Sequence, residues 1–572
     1  PLASWPKIRT NVHLNRGRAK PYAIVLDNLE SVTGEPLAIP NTLPESEQAE
    51  IRAFLQALVG GQTKVVLGSR SDEAWLKDVF SFAGKVNRYQ LRGLDAEART
   101  VLAEKILAST TLSHREIENI RKEKNFERLM TVLAGYPLAM EVVLANLGRQ
   151  SAADVLAGLD AADVDLDSGE ADKTKSILKC VEYSHSNLSA AAQKLLLCLA
   201  PFKGFIDRAD LPNYAQQLQQ LQQLEPFADW AFDQFDAAVD EAMRWGLLSP
   251  YFDGDDGRLL RIQPVFPYFL KAKLADVDAA VREGLATGFK NHYRGLAAQY
   301  DQMMASKEPE QRKLGLFFCG LEYENLFSAL QTCLARQESF SIYRCLDTYL
   351  DTSNNPAGQL QLGELIKQAK AEYSAEALQG QAGWEFSEAC LKLGNAYLKA
   401  QQYPLARASY QDALNLLEGV ASIELTQKQS AVAVNFHQLG YVAEALREYE
   451  QARSHYQQAL DILIEYNDRY TQAMTYHQLG RVAEALREYE QARSHSQQAL
   501  DIYIEYNDRY SQASTYHQLG IVAQELREYE QARSHSQQAL DIYIEYNDRY
   551  SQAGTYHQLG RVAEALREYE QA

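Results

Sequence analysis

Chemistry is most concentrated in this chain where an apolar run stops abruptly at acids. In Pro21-Tyr-Ala-Ile-Val-Leu-Asp-Asn-Leu-Glu30, residues that suit a buried strand give way to Asp27, Asn28 and Glu30. A parallel-sheet strand covered on both faces reads as a continuous apolar run, and ligands of such sheets sit beyond the strands' carboxyl ends. Asp27 is therefore placed where a metal-bound phosphate could sit. A carboxylate taken out of water there needs a cation or hydrogen-bond donors, and Mg²⁺ on a nucleotide is the natural one. The same run also reads as an ordinary strand-to-turn junction. A second set of chemically capable residues lies far downstream, where His-Gln-Leu-Gly recurs at His437, His477, His517 and His557, one every 40 residues.

The elements around Asp27 bear on the choice. A helix is expected over Glu45 to Leu58, followed by a second apolar strand, Thr63-Lys-Val-Val-Leu-Gly-Ser-Arg70, which ends in a base. Asp95 is a good N-cap for a helix from Ala96 to Leu107, with apolar residues at helical spacing. Further on, Leu133-Ala-Gly-Tyr-Pro-Leu-Ala139 places Gly135 and Pro137 where one helix breaks and the next begins. Taken in order, these stretches resemble the Walker B strand, sensor strand and GxP motif of signal-transducing P-loop ATPases of the NB-ARC-like STAND class. The resemblance implies that Asp27 holds Mg²⁺ and that Arg70 reaches the γ-phosphate region. It further implies that Gly135 and Pro137 pack on the adenine. Many switch ATPases have a second acid after the Walker B aspartate; Asn28 stands there instead, with Glu30 the other acid at hand, so slow turnover is expected. No GxxxxGK[ST] loop occurs, and in the resembled family it lies upstream. The expectation is thus a fragment at both ends, with ATP or ADP and Mg²⁺ bound by the full-length protein.

Beyond an acidic, Gly/Ser-interrupted linker at 163–176, helices are expected over 188–199 and 232–245, followed by a hairpin over 247–262. Helices followed by a hairpin make a winged helix. Its second-to-last helix carries Asp233, Asp236, Asp240 and Glu241, acids that would repel phosphate, so DNA reading is not expected. In the resembled family a histidine after this hairpin senses the β-phosphate; the matching position holds Gln263, which can donate a hydrogen bond but cannot carry charge. Residues 216–223 read as a surface helix insertion, and about 280–385 as a helical connector.

Self-similarity at 40 residues means a solenoid. Around Gly480 the pattern Tyr476, Leu479, Tyr489, Ala492, Ala499 has tetratricopeptide spacing, and a divergent unit precedes it with Leu393, Gly394, Tyr397, Ala406, Tyr410 and Ala413. In such repeats the first helix of each pair lines the concave face. That would expose Met474, His477, Arg481 and Glu484, then Ser514, His517, Ile521 and Gln524, with His437 and His557 at the flanking units. A ladder of histidines could grip an extended peptide or respond to pH, or could simply have come along with duplicated units. Successive histidines are too far apart to share a metal ion.

Composition limits the alternatives. With 572 residues, 46% hydrophobic and 23% charged, the chain can hold several domains. A net charge of -19 disfavours general binding to nucleic acid or anionic lipid. Six cysteines without metal-ligand spacing and the lack of a membrane-length apolar run suggest a cytosolic protein. The expected organisation is α/β plus α: a partial P-loop NTPase over 1–88, a helical lid over 89–162 and a winged helix over 175–278. A connector over 279–386 and tetratricopeptide repeats over 387–572 complete it. The expected function is a nucleotide-dependent signalling switch whose repeats sense a protein or peptide and which forms a homo-oligomer when activated. A repeat scaffold with a vestigial ATPase region, or a transcription regulator of similar layout, are the alternatives.

Overall fold

The computed structural model describes residues 23–26, 45–59, 64–68, 74–82, 93–110, 112–161, 173–223, 225–251, 258–263 and 265–566. The chain is mostly helical and divides into two compact units, residues 1–332 and 333–572.

The first unit opens with strand β1 (Ala23–Leu26), helix α1 (Glu45–Leu58) and strand β2 (Lys64–Leu67). The strands pair in parallel, from Ala23 opposite Lys64 to Leu26 opposite Leu67. Parallel neighbours need a crossover, and α1 has the residues for one: Ile51, Leu55 and Leu58 recur at helical spacing and are buried. Ile51 and Leu55 pack with Leu26, Val65, Leu67 and Trp75. The expectation of a strand buried on both faces does not hold. Val25 is 67% exposed and Val66 56%, because side chains alternate across a strand and this small core covers one face of the pair.

Helix α2 (Ala96–Ala108) starts where expected, with Asp95 Oδ1 accepting from the Ala98 N–H at 2.9 Å. It shares a core with α3 (Pro137–Leu144), whose Ala139, Met140, Val143 and Leu144 are buried. Then come α4 (Lys173–Ser186), α5 (Ala190–Leu195), β3 (Phe205–Asp207), α6 (Leu211–Gln219) and α7 (Phe235–Arg244). Strands β4 (Leu248–Pro250) and β5 (Leu259–Ile262) form the expected hairpin, and β3 joins it to make an antiparallel sheet in the order β3-β5-β4. Helices α8 (Phe266–Ala275) and α9 (Ala279–Met304) follow. The surface insertion expected at 216–223 is not one. Its Leu218 belongs to α6, is fully buried, and lies so close to α9 that a Cβ on Gly288 would come within 2.7 Å of it.

The second unit ends in a stack of helix pairs: α10 (Gln381–Lys399) with α11 (Tyr403–Gly419), α12 (Leu425–Ala445) with α13 (Tyr449–Glu465), and α14 (Arg469–Ala485) with α15 (Tyr489–Glu505). The pair α16 (Arg509–Glu525) with α17 (Tyr529–Glu545) and the single helix α18 (Arg549–Ala565) continue it. Small residues set the spacing of each pair. A Cβ on Gly440 would stand 2.6 Å from the buried ring of Tyr456, so only glycine lets α12 and α13 approach this closely. Between pairs, Asn467, Asn507 and Asn547 take the left-handed conformation that asparagine tolerates. The aspartate after each, Asp468, Asp508 or Asp548, caps the next helix.

Candidate functional site

Asp27, Asn28, Glu30 and Arg70 lie outside the described residues. What is described is the frame: β1 and β2 end side by side, with the Gly68 N–H donating to the Leu26 carbonyl at 2.7 Å. Gly135 has φ +73°, and Pro137 occupies the first turn of α3. The Gly135 carbonyl accepts from the Leu94 N–H at 2.7 Å, and a Cβ on Gly135 would stand 2.5 Å from the Leu94 carbonyl oxygen. The loop before α3 is thereby clamped to the segment before α2.

Gln263 follows β5 and is 3% exposed. Its Nε2 donates to Glu141 Oε2 on α3 at 2.7 Å. The same helix receives two further contacts from this part of the unit. Gly246, with φ +72°, lies against the Glu141 and Val142 carbonyls, and Ser184 Oγ donates to the Val142 carbonyl at 3.1 Å. The helix begun by Pro137 and the strand ended by Gln263 are therefore one packed body. Charge on Glu141 is met by a neutral amide, a charge-assisted hydrogen bond.

The acids of α7 are engaged by neighbouring residues at the surface of the unit. Arg208 grips Asp236 through Nε and a terminal nitrogen at 3.0 Å each and Asp240 at 2.7 Å, while Glu241 accepts from the Ser189 N–H and hydroxyl at 2.6 and 2.8 Å. Deeper still, Glu322 is 2% exposed and accepts from Tyr293 Oη at 2.9 Å and Asn325 Nδ2 at 2.6 Å. Burial raises its carboxyl to about 7 in spite of both donors.

In the repeats the face on which partner residues were expected is only partly open. Met474 is 42% exposed and Arg481 is exposed, although Arg481 is held to Glu444 at 2.7 Å. Glu484, Ser514, Ile521 and Gln524 are half-buried. The histidines do not project freely. His437 Nδ1 lies 3.3 Å from Thr475 Oγ1, His477 Nδ1 3.3 Å from Thr515 Oγ1, and His517 Nδ1 3.2 Å from Thr555 Oγ1. Each imidazole thus links one unit to the next. Burial holds His437 and His477 down to about 4, with Arg481 adding to the effect on His477, and burial also lowers His517. Only His557, at the last described unit, is exposed. Sequence reading missed the threonine partners, although their 40-residue recurrence at Thr475, Thr515 and Thr555 was visible. It also missed the ion pairs between units, Arg407 with Glu448, Arg453 with Glu488, and Arg493 with Glu528 at 2.7 Å. Among the described residues no group of His, Cys, Asp and Glu could hold a metal ion, and no helix is long and apolar enough to cross a membrane.

A family model described as tetratricopeptide repeat matches residues 431–505 and 511–572. The C-terminal helix pairs are tetratricopeptide repeats. No curated protein matches the chain. Among solved structures, a signal transduction ATPase with numerous domains (STAND) with a tetratricopeptide repeat sensor, from Pyrococcus horikoshii, aligns at 14% identity over 100% of this chain and 90% of its own, with TM-score 0.36. The apo form of RapI aligns at 18% identity over 40% of this chain and 80% of its own, with TM-score 0.35. BtubC from P. vanneervenii aligns at 17% identity over 38% and 86%, with TM-score 0.33. None of these scores reaches 0.5, so the likenesses fix neither the fold nor the function of the chain.

Proposed function

We propose that the repeats hold a protein or peptide partner along their first helices and that the first unit converts this occupancy into a nucleotide-dependent signal. The observation that carries the first half is the pair of exposed residues on α14. Met474 and Arg481, with the half-buried Gln478 between them, are spaced to lie on one helical face, where an extended partner could run across successive units. The switch half rests on the order of motifs around Asp27, Arg70, Gly135 and Pro137, and on the joint between Gln263 and Glu141. In this reading Asp27 holds the Mg²⁺ of ATP or ADP, and Asn28 makes hydrolysis slow. The part following α4, with its three-stranded sheet, is a winged helix closed on the lid by Gln263, and opening that joint permits homo-oligomerisation. The test is nucleotide binding by the full-length protein. A ligand at 100 times its dissociation constant stabilises by about 2.7 kcal/mol, so Mg-ATP should raise the melting temperature of the parent and not of Asp27→Ala. Equal shifts in both would sink the switch.

A second reading, a repeat scaffold whose nucleotide region is vestigial, is favoured by one observation. Gln263 has its donor engaged by Glu141, in a position where the resembled family uses a histidine on phosphate. A full-length protein that binds the partner but no Mg-ATP would select this reading.

A further inference from the structure

The hydrogen-bonded ladder between units breaks at one junction, and a cavity lies there. Counting back from Gly394 as one counts back from Gly480, the slot of the ladder histidine falls on Leu391, and the slot of the threonine in the following unit falls on Asn435. Leucine offers no hydrogen bond. Asn435 is 1% exposed, its Nδ2 donates to the Ala431 carbonyl at 2.9 Å, and its Oδ1 has no partner among the described residues. A buried acceptor left unmatched is destabilising, and a ligand's donor would relieve this.

The cavity measures about 450 Å³, and its lining includes Trp384, Glu388, Leu391, Glu424, Val434 and Asn435. That volume suits a side chain or a small ligand. It exists because this unit is longer than the others. Gly394 to Gly440 is 46 residues against 40 for later units, and α12 has 21 residues where α14 has 17. The added N-terminal turn brings Glu424 over the gap. No lysine, arginine or histidine is among the lining residues, and the nearby Lys428 is engaged by the Glu418 and Val420 carbonyls at 3.2 and 2.9 Å. The chemistry on offer is two carboxylates and an amide oxygen set among an indole and aliphatic groups. These are acceptors for a compact cation that arrives on an apolar stem, with the indole adding a cation–π contribution.

We propose that this cavity receives the ammonium of a lysine side chain from the peptide partner. The proposal rests on the reading above that the repeats bind a peptide, and it names the subsite and the chemistry that selects the peptide. The test uses the full chain and an array of N-acetylated octapeptides in which each position is fixed in turn as lysine, norleucine or glutamate. The expected result is one position where lysine is preferred over norleucine by about tenfold. That preference should disappear in Glu388→Gln/Glu424→Gln, which keeps the shape of the cavity. It should also weaken in Leu391→His/Asn435→Thr, which restores the ladder and removes the unmatched amide oxygen, with far-UV circular dichroism reporting that both variants fold. Peptide capture without a lysine preference, or a preference unchanged in both variants, overturns the subsite while leaving peptide binding intact. No capture of any peptide overturns the subsite together with the reading it rests on.

Discussion

If the ladder histidines are structural, acid should loosen the repeats through them, and replacing two of them should lessen that sensitivity. His437 and His477 are held near 4 by burial, whereas in the unfolded chain a histidine titrates near 6.5. Below that value the unfolded state binds more protons than the folded one. Stability is therefore complete above about pH 6.5 and is lost as the pH falls toward 4. Each histidine contributes about 1.4 kcal/mol per pH unit in this window if fully buried. Both are half-buried, so roughly half of that is the better expectation. Between pH 7.5 and pH 5 the two together then lose about 2 kcal/mol, or about 30-fold in local opening. Asparagine can place a donor close to the Nδ1 position and cannot take up the proton, so His437→Asn/His477→Asn keeps the link to threonine without the charge. Hydrogen exchange of amides in residues 425–525, corrected for the intrinsic pH dependence, reads local opening directly. The loss of protection in the variant should be smaller than in the parent by about 30-fold and not absent, because His455, His495 and His517, also lowered by burial, titrate in both. An equal loss in both would mean that the histidines carry no part of the acid response, and the ladder would not be a stabilising device.

Two further outcomes follow from the packing. Gly440→Ala should destabilise the repeats by about 1–2 kcal/mol net, since a Cβ 2.6 Å from the buried Tyr456 ring outweighs the roughly 1 kcal/mol gain in helix propensity. Gly554→Ala, with open space around the new Cβ, should stabilise by about 0.5–1 kcal/mol, and chemical denaturation of both variants checks the contrast. Glu322 behaves opposite to the histidines. Its carboxyl is raised to about 7 by burial, so the stability it contributes is present below its ordinary value of about 4.5 and is lost as the pH rises through 7. That amounts to about 3 kcal/mol at most. Glu322→Gln should remove this part of the pH dependence in the first unit, as read by its thermal transition at pH 5 and pH 8; identical slopes for variant and parent would refute it.

Much of this architecture was legible from local signals. The helix at Glu45–Leu58, the cap at Asp95, the break at Gly135 and Pro137, and the hairpin before Gln263 each rest on a few neighbouring residues. What failed depended on contacts between distant segments. Leu218 looks like one of a row of leucines in a glutamine-rich surface helix until α9 is seen against it. His437, His477 and His517 look free until the threonine 38 residues further on is found beside each ring. The acids of α7 were legible as acids, but their partners Arg208 and Ser189 could not be inferred without the fold. Asn435 was overlooked because a single substitution within a repeat looks like drift; its meaning appears only when the ladder it interrupts is in view. Asp27, Asn28, Glu30 and Arg70 lie outside the described residues and stand as the motif order left them.

The central claim is that the first helices of the repeats are the binding surface, and peptide selection against the full chain tests it most directly. Peptides selected from a displayed random library should share a motif, and their affinity should fall at least about tenfold in Met474→Asp/Arg481→Asp. It should be unchanged in Ile464→Asp/Ile504→Asp, which alters residues equally exposed on the second helices. Selected peptides without a common motif, or a loss of binding in the second variant rather than the first, would contradict the account.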